Sequence, residues 1–137
     1  MCNADVARAL TQMDMLVKPN GYLYFDLRNW DCILRERPRF YLYNPMHKDD
    51  VRINLMQVWD YNADGSMTFN LLYTFEKNER IFQKEQFEEH YFPVARKFLM
   101  DTLSALGYQK IDILPYPAMM DAKDPETMPW YCILAQK

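Results

Sequence analysis

The sequence predicts an α/β fold in which a core of helices and strands is interrupted by an antiparallel hairpin. Three observations predict it. A helix-period stretch runs through a tight turn into a short, nearly continuous apolar run at residues 22–27. From Val51 the pattern changes to strand alternation on both sides of a glycine-containing turn. After Pro93 a second helical pattern leads into two more strands.

Residues 4–16 read as an amphipathic helix, with Val6, Leu10, Met13 and Val17 at helical spacing. Lys18-Pro19-Asn20-Gly21 ends it, because proline cannot continue a helix and Asn-Gly tolerates positive φ. Tyr22-Leu23-Tyr24-Phe25-Asp26-Leu27 then reads as a strand buried on both faces, as in a helix-flanked parallel sheet. Residues 29–36 predict a short helix closed by Pro38, and residues 39–43 an extended segment.

Val51, Ile53, Leu55 and Gln57 alternate with Arg52, Asn54, Met56 and Val58, and a second strand-like run spans residues 67–75. Asn62-Ala63-Asp64-Gly65 is the hairpin connection between them. Residues 81–91 favour a third antiparallel strand, although 84–89 would also suit a helix. Pro93 opens a helix to Leu106, with Phe98, Leu99, Leu103 and Leu106 on one stripe and Gly107 at the C-terminal cap. Residues 108–114 and 130–136 are strands that can pair antiparallel at a sheet edge, joined by a loop rich in proline and methionine. The core is expected in residues 1–36 and 92–137, and the antiparallel insertion in 37–91.

Composition narrows the function. At 137 residues the chain is one domain's worth, and half of it is hydrophobic, enough to build a core. A net charge of −3, with no basic stripe, sets nucleic acid aside as the main ligand. Cys2, Cys32 and Cys132 are scattered and odd in number, which predicts reduced thiols in a cytoplasmic protein and no metal set. No apolar run approaches membrane-spanning length. His47 and His90 are too far apart to suggest a metal pair, and Met119-Met120 reads as core filling. The three glycines, Gly21, Gly65 and Gly107, are dispersed, whereas a loop that cradles a nucleotide needs several close together.

Val17-Lys18-Pro19-Asn20-Gly21-Tyr22-Leu23 is similar to the stretch before the fifth strand of class I S-adenosylmethionine-dependent methyltransferases, where Pro-Gly-Gly is usual. Asp26-Leu27-Arg28-Asn29-Trp30-Asp31-Cys32-Ile33-Leu34 resembles the Arg-Asn-Tyr-Asp-x-Ile-Leu segment of glycine and sarcosine N-methyltransferases. Leu72-Tyr73-Thr74, His90-Tyr91-Phe92-Pro93 and Pro129-Trp130-Tyr131 resemble later family segments, in the right order over nearly the whole chain. The resemblance implies the C-terminal half of a Rossmann-like methyltransferase sheet carrying a substrate-side insertion, without the N-terminal, cofactor-binding half. Asn20 departs from Pro-Gly-Gly, which is harmless where the backbone needs only positive φ.

Arg28 is the leading candidate for substrate binding. It ends a predicted strand, where open α/β sheets place their ligands, and guanidinium matches a carboxylate bidentately. An ion pair with Asp26 or Asp31 is the alternative role. The resemblance implies that Arg28 grips the substrate carboxylate. It also implies that Tyr41, Tyr73 and Tyr91 surround the sulfonium and the amine, with Tyr43 competing with Tyr41 for its place. Ten tyrosines are present, so packing is the alternative for any one of them. Asn29 and Asp31 suit the N-terminus of the helix that follows, as cap and first-turn acid. No residue is assigned as catalytic, as a metal ligand or as a contact to S-adenosylmethionine, whose site is expected mostly outside this chain.

The implied function is the substrate-binding portion of an S-adenosylmethionine-dependent N-methyltransferase acting on glycine or sarcosine, in betaine or methyl-group metabolism, and inactive as this chain alone. A methyltransferase for another small acceptor and an inert, truncated binding module are the alternatives. Expected partners are a small amino-acid substrate and either the missing N-terminal half or a second copy, with neither nucleic acid nor membrane.

Overall fold

Local chemistry accounts for most element boundaries. The computed structural model describes residues 2–117, 124 and 127–137, so much of the loop rich in proline and methionine, with Met119-Met120, lies outside the described residues. Helix α1 (Asn3–Asp14) opens with Asp5 accepting a hydrogen bond from the Cys2 N–H at 2.9 Å. It ends before Lys18-Pro19-Asn20-Gly21, where the Gly21 N–H donates to the Lys18 carbonyl at 2.8 Å. Asn20 takes φ 62° there, as the third position of a turn with proline second requires. A Cβ on Gly21 would stand 2.7 Å from the Lys18 oxygen, so glycine is needed at the fourth position for space.

Two compact units result: Met1–Arg37 with Val94–Lys137, and Pro38–Pro93. In the first, strands β1 (Tyr22–Arg28), β7 (Lys110–Pro115) and β8 (Trp130–Gln136) form a sheet of order β1-β8-β7. Helix α2 (Trp30–Glu36) follows β1, and α3 (Arg96–Ala105) packs with α1. Leu23, Tyr131, Ile133 and Ala135 lie on one face of the sheet and are buried. Leu99 and Leu103 of α3 are buried in the same unit. Helix α3 closes with the Gly107 N–H on the Ser104 carbonyl and the Tyr108 N–H on that of Leu103, with Gly107 at φ 94°. That is the paired terminal bonding for which a left-handed glycine is favoured.

The sheet corrects one expectation. Strand β1 is not flanked by a parallel strand among the described residues; it runs antiparallel to β8 from Tyr22↔Gln136 to Arg28↔Trp130. Nor is it buried on both faces. Leu23 is buried, but Tyr22 and Tyr24 on the other face are 60% and 53% exposed. Tyrosine reads as apolar in a hydrophobic run, yet its hydroxyl is at home in water, and this hid the alternation. The expected antiparallel pairing of the last two strands is present as β7 and β8.

The second unit is a five-stranded antiparallel sheet. Its strands are β2 (Phe40–Leu42), β3 (Met46–Lys48), β4 (Val51–Tyr61), β5 (Met67–Lys77) and β6 (Arg80–Tyr91). The order is β2-β4-β5-β6, with β3 also on β4. Residues 81–91 are therefore strand, the option favoured over a helix. Two-residue turns set the register: Asp49-Asp50 joins β3 to β4 and Asn78-Glu79 joins β5 to β6. Asn78 and Glu79 both take positive φ, 52° and 60°, as a tight hairpin with the twist of its strands demands. The first of these hairpins, with the short exposed strand β3, has no apolar pattern and was not legible in sequence. The predicted turn at Asn62-Ala63-Asp64-Gly65 is present, with Gly65 at φ 83°.

Candidate functional site

Arg28 is the last residue of β1, and its register partner Trp130 is the first of β8. The guanidinium carbon lies 4.8 Å from the centroid of the Trp130 ring. Tyr116 packs on the same indole, centroids 5.6 Å apart. A guanidinium this close to an indole is attracted by the negative face of the ring. Along the same face of β1 stand Tyr24 and Asp26. The Tyr24 hydroxyl donates to the Cys132 sulfur at 3.0 Å, and that bond is the chief cause holding the phenol above its ordinary pKa.

Asn29 follows Arg28 and is fully buried. Its side-chain oxygen accepts from the Cys32 N–H at 3.1 Å and caps α2, the role the sequence favoured. Its own N–H donates to the Pro129 carbonyl at 2.8 Å, which ties the tip of β1 to the start of β8. Asp31 sits in the first turn of α2, as expected, and also accepts from the Arg96 N–H at 3.1 Å. The Arg96 guanidinium lies over the Tyr131 ring at 5.1 Å. The Cys32 thiol is pushed up in pKa by burial and by the neighbouring Glu36, the opposite of what a nucleophile needs.

In the second unit the pairing places Tyr41, Tyr73 and Tyr91 on a single face of the sheet. Tyr41 is opposite Gln57, Gln57 opposite Leu71, and Tyr73 lies two positions further along β5; Tyr91 is opposite Met67 on the same parity. An aromatic row crosses this face. Tyr43 meets Tyr41 at 4.9 Å, Tyr41 stacks on Trp59 at 6.3 Å, Trp59 on Phe69 at 4.5 Å, and Phe69 meets Tyr91 at 4.5 Å. Tyr73 stands beside the row with Phe87 and Phe75. The Tyr91 hydroxyl donates to Glu89 at 2.6 Å, and the Trp59 indole N–H to the Gln57 side chain at 2.9 Å. Tyr43 and Tyr73 also line a cavity of about 660 Å³, with Leu42, Met56, Leu72 and Lys84.

Sequence reasoning missed Trp130, Trp59 and Phe69 as members of these clusters. Trp59 lies two residues beyond Gln57 on the alternation already visible in β4, so extending that pattern would have found it. Trp130 carries no local sign; it meets Arg28 through the register of strands more than a hundred residues apart. His90 is exposed, with Nδ1 3.2 Å from the Thr68 hydroxyl, and no group of three or more His, Cys, Asp or Glu side chains could hold a metal among the described residues.

These elements make a partial Rossmann-like α/β domain interrupted by an antiparallel sheet, an architecture shared with S-adenosylmethionine-dependent methyltransferases. A methyltransferase of that kind from Clostridium acetobutylicum ATCC 824 matches with a TM-score of 0.68 and 11% identity, over 98% of this chain and 52% of that one. DesVI of Streptomyces venezuelae matches with a TM-score of 0.59 and 8% identity, over 96% of this chain and 51% of that one. The chain thus spans about half the length of each, and at such identities the likeness is one of fold. No family model matches the chain, and neither does any curated protein.

Each of the three glycines serves a local turn or cap. Gly65 lies in a hairpin turn, Gly107 closes a helix, and Gly21 is pressed against the Lys18 carbonyl. No helix is long and apolar enough to cross a membrane.

Proposed function

We propose that this chain is the acceptor-binding portion of an S-adenosylmethionine-dependent N-methyltransferase whose substrate is a small amine bearing a carboxylate, of the glycine or sarcosine type. The fold match along 98% of the chain is the observation that carries the methyltransferase reading. The choice of acceptor rests on Arg28. It stands at the tip of a strand, its guanidinium carbon 4.8 Å from the Trp130 ring centroid, and guanidinium is the side chain suited to a carboxylate. Within the second unit, Tyr41, Tyr73 and Tyr91 share one sheet face of aromatic rings and hydroxyls, groups that tolerate an ammonium without quenching it. The methyl donor would be held by residues outside this chain, which alone is inactive.

The test is methyl transfer from labelled S-adenosylmethionine by the complete protein. Acceptors are glycine, sarcosine and amines of equal size without a carboxylate. The expected result is methylation of glycine or sarcosine and none of the plain amines. Transfer to the plain amines instead would remove the acceptor assignment and leave a methyltransferase for another small molecule. Transfer to none would leave a binding module. Calorimetry of this chain by itself with S-adenosylmethionine is expected to show no binding; micromolar binding would place a cofactor site within it.

A further inference from the structure

Strand β6 (Arg80–Tyr91) pairs with β5 along one side, and no strand covers its other side among the described residues. Its residues are exposed at all but Glu85 and Tyr91. An edge of this length offers a row of backbone donors and acceptors to any strand that can join it. Natural edges are usually blunted by proline, by a bulge, by shortness or by charged side chains, and of these β6 carries chiefly the charges, which then decide what can pair with it. Here there is no proline, and the single irregularity lies at one end, opposite the Phe75/Glu76 step. Ile81, Phe82 and Phe87 are each more than half exposed along it. Charge is distributed unevenly: Arg80 and Lys84 stand toward the start, Glu88 and Glu89 toward the end, and Glu85 near the middle.

We propose that β6 pairs antiparallel with β6 of a second copy of this chain, about a two-fold axis through Gln86. Running the strand against itself brings the basic start of one copy to the acidic end of the other. A two-fold axis perpendicular to a sheet keeps every side chain on its own face, so opposed residues must share parity. Centred on Gln86, the register places Lys84 opposite Glu88 of the second copy, twice by symmetry, and Glu85 opposite Phe87. Moving the centre one residue back sets Glu85 against Glu85. Moving it one residue forward sets Glu85 against Glu89, and centring on Lys84 opposes two lysines. Like charges directly opposed in an antiparallel pair are unfavourable, so charge selects a single register among these four. Phe87 of each copy is covered in the process, next to Tyr73 of β5 in the same copy, which it already meets edge-on.

The test is sedimentation velocity of the full chain over a range of concentration. A reversible dimer is expected. Lys84→Glu, which sets a carboxylate against Glu88 of the second copy, weakens it by about tenfold or more, since both symmetric pairs turn from attraction to repulsion. Adding Glu88→Lys to that variant reverses the polarity and restores the dimer. Both positions are exposed, and circular dichroism of each variant is the control for an unchanged fold. A chain monomeric at the highest concentration reached, or a dimer indifferent to Lys84→Glu, overturns the proposal. So does a double variant no tighter than the single one. None of these readouts depends on methyl transfer.

Discussion

Arg28 and Trp130 are cross-strand partners, last residue of β1 and first of β8, with the guanidinium carbon 4.8 Å from the indole centroid. The contact sets the orientation of the one side chain on which the proposed acceptor depends. A bidentate, charge-assisted pair with a carboxylate is worth about 1.5–3 kcal/mol, so Arg28→Ala should raise the acceptor KM by about ten- to a hundredfold in the complete enzyme. Arg28→Lys should recover little of this, because an ammonium is neither planar nor forked. Steady-state kinetics with glycine and sarcosine measure both, and an unchanged KM in Arg28→Ala would dispose of the role.

Gly21 is required for space, and Asn20 for its backbone angle. Gly21→Ala puts a methyl group 2.7 Å from the Lys18 oxygen and 3.1 Å from a Val17 methyl, contacts that force the backbone to move. The expected loss is about 1–3 kcal/mol in urea denaturation. Asn20→Gly should change stability by only a few tenths of a kcal/mol, roughly, since asparagine already tolerates the left-handed region. A neutral Gly21→Ala would show that the turn has room to relax.

Glu79 carries a left-handed backbone at φ 60° with no glycine to make it easy. Glu79→Gly should therefore stabilise the protein by about 1 kcal/mol, because Asn-Gly is the preferred pair for a two-residue hairpin turn. Thermal denaturation reads this directly. A lower Tm would mean that the glutamate side chain contributes more than the strain it bears.

Lys137 donates to Asp14 at 2.7 Å and holds that carboxyl below its ordinary pKa. A carboxylate whose pKa is depressed on folding adds stability above its unfolded pKa and loses it as pH falls through the folded value. The gap in denaturant midpoint between wild type and Asp14→Asn should thus be constant from about pH 5 to 7 and shrink below about pH 4. A gap independent of pH would rule out ionisation as its source.

Much of this architecture was legible because its causes are local. Proline and glycine marked the ends of α1 and α3, Asn29 marked the start of α2, and Asn62 to Gly65 marked the central hairpin. Alternation along β4 and β5 showed strands before any pairing was known. Strand β3, three exposed residues long, offered no such pattern. Helix α3 begins at Arg96, although Pro93 signals a start, because Val94 and Ala95 stay outside it and Ala95 is extended as its cap. Tyr108, read as strand, instead closes the helix end as a buried residue.

The sequence by itself determined most of the helices, strands and turns, though not β3 or its hairpin, since backbone preference and side-chain period act within a few residues. It also identified Arg28 as the end of a strand and three tyrosines as strand residues. Only the tertiary structure decided who their neighbours are. That β1 lies antiparallel to β8, that Arg28 therefore meets Trp130, and that Tyr41, Tyr73 and Tyr91 share one face all follow from register. Register is a relation between distant segments: a one-residue slip would send each side chain to the opposite face, and what forbids the slip is burial of one face of each sheet.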